Sequence, residues 1–122
     1  MEFTKDQPIY LQIVDHFCEN ILTGKWKEKE RIPAVREVAV SLEVNPNTAM
    51  RAYELLQTRE VIFNKRGIGY FVNTGGYNKV LEWKRKEFLE QVAPQFLKQM
   101  DILKIDFEEL KKIQTNQSSK EK

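Results

Sequence analysis

The sequence predicts a mainly α-helical fold with one small β-hairpin: a winged helix-turn-helix followed by a short C-terminal helical extension. Three observations predict it. Residues 9–22 carry an amphipathic helical stripe. Two short helical segments meet at a brief turn around Glu43 and Val44. Two β-rich runs flank the glycine-containing loop Lys65-Arg66-Gly67-Ile68-Gly69. Helix, helix-turn-helix and hairpin in that chain order make a winged helix.

The elements follow from local chemistry. Asp6 or Gln7 before Pro8 is a helix start signal. Ile9, Ile13, Phe17 and Ile21 then recur at i, i+4 spacing, Val14, Cys18 and Leu22 widen the stripe, and Gly24 ends the helix. Pro33 opens a second, short helix with Val35, Val38, Ala39 and Leu42 facing inward. The third helix runs from Pro46 to about Arg59. Asn45 caps it by accepting from the backbone N–H of Asn47 or Thr48, and Pro46 occupies the first helical position, where a missing donor costs nothing. Ala49, Ala52, Tyr53 and Leu56 form its inner face, whereas Asn47, Thr48 and Arg51 lie on its exposed first turns. Polar side chains at a helix N-terminus, with a core stripe behind them, are what a DNA recognition helix needs.

Val61–Asn64 and Tyr70–Asn73 are rich in β-branched and aromatic residues and read as the hairpin strands. The loop glycines between them permit positive φ. Gly75-Gly76 marks a domain boundary, so residues 1–76 form the DNA-binding module. Beyond it, Asn78 is expected to cap a helix to about Val92, Ala93-Pro94 to break it, and Pro94 to open another. Asp106 with Glu109 three residues on resembles a capping box for a last short helix bearing Phe107, Leu110 and Ile113. Residues 115–122 are polar and are expected to be disordered.

Composition narrows the function classes. The longest apolar run falls far below the roughly 18 residues of a membrane span. The first residues, MEFTKDQ, lack a signal-peptide pattern, and a single cysteine, Cys18, fits a reducing cytoplasm. Net charge is +2 overall, and residues 1–77 carry ten basic and ten acidic side chains. A nucleic-acid reading must therefore rest on local placement. Lys25, Lys27, Lys29 and Arg31 crowd the segment before the second helix, and Lys65 and Arg66 sit at the loop tip. His16 and Cys18 are two apart on a helix and point to different faces. With one His and one Cys in the chain, the sequence predicts no metal site, no catalytic site, no cofactor and no enzyme.

The same residues carry a family resemblance. PIYLQI at 8–13, ILTGKW at 21–26, IPAVREVAVSLEVNPNTAMRAYELL at 32–56 and NKRGIGYFV at 64–72 resemble the DNA-binding domain of the GntR transcriptional regulators. The proline-isoleucine-tyrosine start and the VNPNT helix resemble the YtrA-like subfamily, whose winged helix carries only a short helical extension. The resemblance implies a base or phosphate contact for Arg36 and a recognition-helix start at Asn45, Asn47 and Thr48. It implies that Arg51 is the next basic residue on that face, and that Gly67 and Gly69 form the wing tip at the minor groove. Three positions depart from the family pattern: Ala34 stands where Ser is usual, and Lys29 and Glu60 where Gly is usual.

The expected function is a cytoplasmic, sequence-specific transcriptional repressor acting as a homodimer on a palindrome-like double-stranded operator. Lys65 and Arg66 add phosphate or minor-groove contacts. The apolar stripe Leu81, Phe88, Val92, Phe96, Leu97, Met100 and Leu103 in residues 77–114 exceeds what one short hairpin buries, so a partner copy covers it and makes this segment the dimerisation extension. The alternative is that these helices fold back on Ile9, Ile13 and Phe17. So short an extension leaves no room for a dedicated effector pocket of the ~300–1,000 Å³ typical for small ligands. The rival reading is a winged-helix protein-interaction module without sequence-specific DNA binding. A ligand-gated sensor with its pocket at the dimer interface stays open.

Overall fold

The computed structural model describes residues 1–120, with the side chains of the last two left aside. Its elements are α1 (Ile9–Leu22), α2 (Val35–Leu42), α3 (Pro46–Thr58), β1 (Ile62–Lys65), β2 (Gly69–Val72), α4 (Gly76–Glu87), α5 (Ala93–Leu103) and α6 (Phe107–Lys120), with a π-helical turn over Phe88–Val92. The chain divides into two compact units, Met1–Trp83 and the chain from Lys84 onward.

In the first unit, α1, α2 and α3 enclose one core. It comprises Ile13, Val14, Phe17 and Ile21 of α1, Val38 and Ala39 of α2, and Ala49, Ala52, Tyr53 and Leu56 of α3. Val61, Ile62 and Val72 close it from the hairpin. Aromatic rings lock the centre: Phe17 meets Trp26 edge-on at 4.7 Å and Tyr53 at 5.4 Å, and Tyr53 meets Tyr70 at 4.7 Å. Each fully buried large side chain contributes about 1.5–3 kcal/mol. The N-terminal arm is tied down by the buried Gln12. Its Oε1 accepts from the Thr4 N–H at 2.9 Å, and its Nε2 donates to the carbonyls of Thr4 and Gln7 at 2.9 and 2.8 Å.

Most element bounds lie within a residue or two of the sequence reading, and the differences have local causes. α2 starts at Val35 with Ala34 as its N-cap, and no side chain caps it. Pro33 stays outside, its carbonyl accepting from the Tyr53 hydroxyl. β1 and β2 are displaced by one residue toward the loop, because Val61 closes the end of α3 by donating to the Leu56 carbonyl at 2.9 Å. The hairpin pairs Ile62 with Val72, Phe63 with Phe71, Asn64 with Tyr70 and Lys65 with Gly69.

A third edge accompanies it. Residues 29–32 run antiparallel to β2, with Arg31 opposite Phe71. The Lys29 N–H donates to Val72 O at 2.8 Å, Val72 N–H to Glu30 O at 3.0 Å, and Ile32 N–H to Tyr70 O at 2.9 Å.

α4 starts at Gly76 rather than behind an Asn78 cap. A Cβ at Gly76 would come within 2.8 Å of the Val61 carbonyl, so only glycine lets the helix begin so close to β1. Val80 is buried in the first unit's core and Trp83 packs against it, so the compact unit extends beyond the boundary expected at Gly76. Ala93-Pro94 does not break the helix, because Ala93 keeps helical dihedrals (φ −58°, ψ −44°). Pro94 has no N–H to give and its ring crowds the carbonyl four residues back; the widened π turn just before it relieves that clash.

In the second unit, α5 ends at Lys104 in the left-handed conformation, and the capping box of α6 is fully formed. The Asp106 N–H donates to Glu109 Oε2 at 3.0 Å and the Glu109 N–H to Asp106 Oδ1 at 2.9 Å. This start propagates through Thr115, whose hydroxyl donates to Lys111 O at 3.0 Å, as far as Lys120. The expectation of disorder from Thr115 is corrected for residues 115–120. Low hydrophobicity prevents a core but does not prevent a capped, solvated helix. Residues 121–122 lie outside the described residues.

Candidate nucleic-acid interface

The elbow between α2 and α3 is made by Glu43 and Val44. Glu43 takes the left-handed conformation (φ 56°, ψ 47°), and the Val44 N–H returns to Ala39 O at 2.9 Å. That reversal delivers the N-terminus of α3 to the surface. Asn45 Oδ1 accepts from the Asn47 N–H at 2.8 Å, and Pro46 follows at the first helical position. Asn45 and Asn47 are exposed and Thr48 is half-buried. The unpaired N–H groups and the helix dipole give this end a partial positive charge that suits phosphate.

Arg51 lies one turn further on. Its guanidinium sits over the Tyr10 ring, 4.0 Å from the centroid, so its partner is an aromatic face on α1. Arg36, exposed on the first turn of α2, lines a shallow cleft of about 410 Å³ with Val40, Val44 and Pro46. Arg36, Asn45, Asn47, Thr48 and Arg51 thus belong to the two helices that meet at one elbow. Tyr53, two residues after Arg51, belongs to the core. Burial, with Tyr70 and Glu37 nearby, pushes its phenol above the usual tyrosine range.

The second patch is the wing. Lys65 and Arg66 are exposed, and the Ile68 N–H donates to Lys65 O at 2.9 Å. Gly67, at the third position of that turn, has φ 80°, as a type II turn requires. Phe63 and Phe71 stack across the strands at 5.5 Å. Gly69 has φ 143°, a conformation side chains rarely adopt, and the Arg31 guanidinium lies beside it, 3.0 Å from where a Cβ would stand. Arg31 escaped the site residues read from sequence. Its one sign in the sequence is its place in the basic run Lys25, Lys27, Lys29 and Arg31; pairing with β2 is what brings it to the wing.

Lys29 and Glu60 adopt positive φ (70° and 61°) despite their side chains. Both turns therefore keep the geometry for which glycine is usual. Glu60 also pairs with Lys79, whose ammonium holds its carboxyl below the ordinary glutamate range.

Several clefts of about 400–440 Å³ open on the first unit. One of about 440 Å³ is lined by Phe17, Trp26, Lys25, Glu37 and Leu42 among others. In the second unit Phe88, Val92, Phe96, Leu97 and Leu103 are 47–66% exposed, whereas Met100 is 6% exposed and Leu81 of α4 is half-buried. Among the described residues no helix is long and apolar enough to cross a membrane, and no group of three or more His, Cys, Asp or Glu could hold a metal.

A helix-turn-helix with a capped, polar, outward-facing second helix and a basic wing defines a DNA-binding transcriptional regulator. Residues 9–72 match the family model of the bacterial regulatory proteins of the gntR family, and the chain belongs to that family. It is 34% identical over 85 residues to the HTH-type transcriptional repressor YtrA of Bacillus subtilis, covering 70% of this chain and 65% of that one. This similarity supports the YtrA-like resemblance. Among solved structures, a GntR-family protein of Bacteroides thetaiotaomicron is 42% identical, with a TM-score of 0.73 over 93% of this chain and 99% of that one. A GntR-family transcriptional regulator of Listeria monocytogenes is 32% identical, with a TM-score of 0.75 over 93% and 98%. These similar proteins are regulators rather than enzymes.

Proposed function

We propose that the chain represses transcription in the bacterial cytoplasm as a homodimer on a palindrome-like operator. The α3 N-terminus enters the major groove with Asn45, Asn47, Thr48 and Arg51. Arg36 lies at the backbone, and the wing, with Lys65, Arg66, Gly67 and Gly69, lies over the flanking minor groove. The observation that carries this reading is the start of α3. Asn45 satisfies the first free N–H of the helix and leaves the Asn47 side chain outward, beside an Arg51 already aligned over Tyr10. The repressor sense is supported by the similarity to YtrA, a transcriptional repressor.

The homodimer is supported by the exposed stripe Phe88, Val92, Phe96, Leu97 and Leu103. A second copy is the economical cover for so much apolar surface. Leu81, half-buried in the first unit, and Met100, 6% exposed, offer less apolar surface than those five.

Titration of the purified chain with duplex from its own upstream region and with a scrambled duplex, at two salt concentrations, tests the reading alongside a light-scattering mass. A mass of two chains and upstream binding about 10³-fold or more tighter than scrambled are expected. Equal affinity for both duplexes, or no DNA binding at either salt with a stable protein partner recovered, would replace it with the protein-interaction reading.

A further inference from the structure

We propose that Arg31 is a third cation of the wing, which sets the Nε–Nη2 edge of its guanidinium against the hairpin base and holds a DNA backbone phosphate with the far side. The inference rests on the DNA reading above. Ile32 is buried, so strand alternation sends Arg31 to the outer face of the sheet. Phe71 lies opposite it; Gly69, two residues away, shares that face, and so does Lys65, the partner of Gly69.

A Cβ on Gly69 would lie 3.0 Å from Arg31 Nε, 3.3 Å from Nη2 and 3.5 Å from Cζ. Cζ is the farthest of the three, so the Nε–Nη2 edge of the guanidinium, rather than its face, abuts the glycine. A forked cation can set one edge against the glycine and keep the Nη1 donors on the far side free, whereas an ammonium is a single point of charge. Those donors have no competitor. Arg31 makes no ion pair or side-chain hydrogen bond among the described residues. The neighbouring acids are engaged elsewhere: Glu30 accepts from the Lys27 N–H at 3.2 Å and Glu28 from the Gly75 N–H at 2.6 Å. Arg31 and Lys65 therefore reach the two sides of Gly69, and together with Arg66 form a basic rim from the wing's base to its tip.

Arg31→Ala, Arg31→Lys and Arg66→Ala chains, with thermal unfolding as the check on folding, are titrated with the upstream duplex and a mixed-sequence duplex over a salt series. Arg31→Ala is expected to lose about tenfold in affinity on both duplexes. Its plot of log affinity against log salt should flatten by about 0.9, one released counterion, as for Arg66→Ala. Arg31→Lys should recover the slope but keep a several-fold deficit, because an ammonium lacks the fork that abuts Gly69 on one side and leaves donors on the other. An unchanged slope in Arg31→Ala overturns the proposal even if affinity falls, since a purely structural role alters strength without altering ion release. Wild-type chain that binds neither duplex removes the DNA reading itself, and this inference with it.

Discussion

Asn45 uses its side-chain oxygen to finish a helix, which frees the next polar side chains to face outward. On that division of labour, Asn47→Ala or Arg51→Ala should cost about 1–3 kcal/mol on the specific site and relax base preference, read from binding curves on operator and scrambled DNA. Equal losses on both would reduce these residues to phosphate contacts. Arg51 has a second determinant, the Tyr10 face, which restricts its rotamers before DNA arrives.

Tyr53 works inside the fold. Its hydroxyl donates to the Pro33 carbonyl at the entry to α2, and burial raises its pKa above the ordinary value. A group whose folded pKa is raised contributes fully below its unfolded value, near 10, and loses that contribution as pH climbs beyond it. Tyr53→Phe should therefore cost about 0.5–1.5 kcal/mol at neutral pH and remove part of the alkaline decline in stability. Denaturant melts at pH 7 and above pH 10 check this. The same alkaline loss in both proteins would place its origin elsewhere.

Among the elements, α2 starts without a side-chain cap. Ala34 stands at its N-cap and offers no side-chain acceptor. Ala34→Ser should stabilise the protein by about 0.5–2 kcal/mol in a denaturant melt. No gain would mean that tertiary packing alone fixes where α2 begins. The elements easiest to read were those written in short-range chemistry: the Asn45-Pro46 start, the Asp106/Glu109 box and the glycine turn of the wing. What escaped depended on neighbours distant in sequence. Residues 29–32 are not strand formers; β2 recruits them. The start of α4 is set by the approach of Gly76 to Val61, and Arg31 joins the wing through a glycine 38 positions away. The continuity past Pro94 depends on a π turn that side-chain periodicity does not announce.

At the scale of the whole molecule, the exposed stripe from Phe88 to Leu103 is the feature that asks for a second copy. A charge there would be buried unpaired in the assembly. Leu97→Glu should weaken self-association by about 2 kcal/mol or more, seen as a shift to single-chain mass in sedimentation with the first unit's unfolding unchanged. A mass that does not move would locate the contact on another surface. The near-balance of charge in residues 1–77 points the same way. In the proposed homodimer, a module with little general attraction to DNA would gain from two recognition helices acting together.

The root of α4 has a mechanical meaning. Gly76 seats against Val61, Val80 enters the core, Lys79 pairs with Glu60, and Trp83 lies under the Arg59 guanidinium at 4.4 Å. Those attachments key the first two turns of the helix to the end of α3 and the start of the wing, as a shaft is keyed to its hub. A torque applied along α4 by a partner chain would find no swivel at its base. It would turn the reading head as one body, and in the proposed homodimer the spacing of two half-sites would follow from how stiff that joint is.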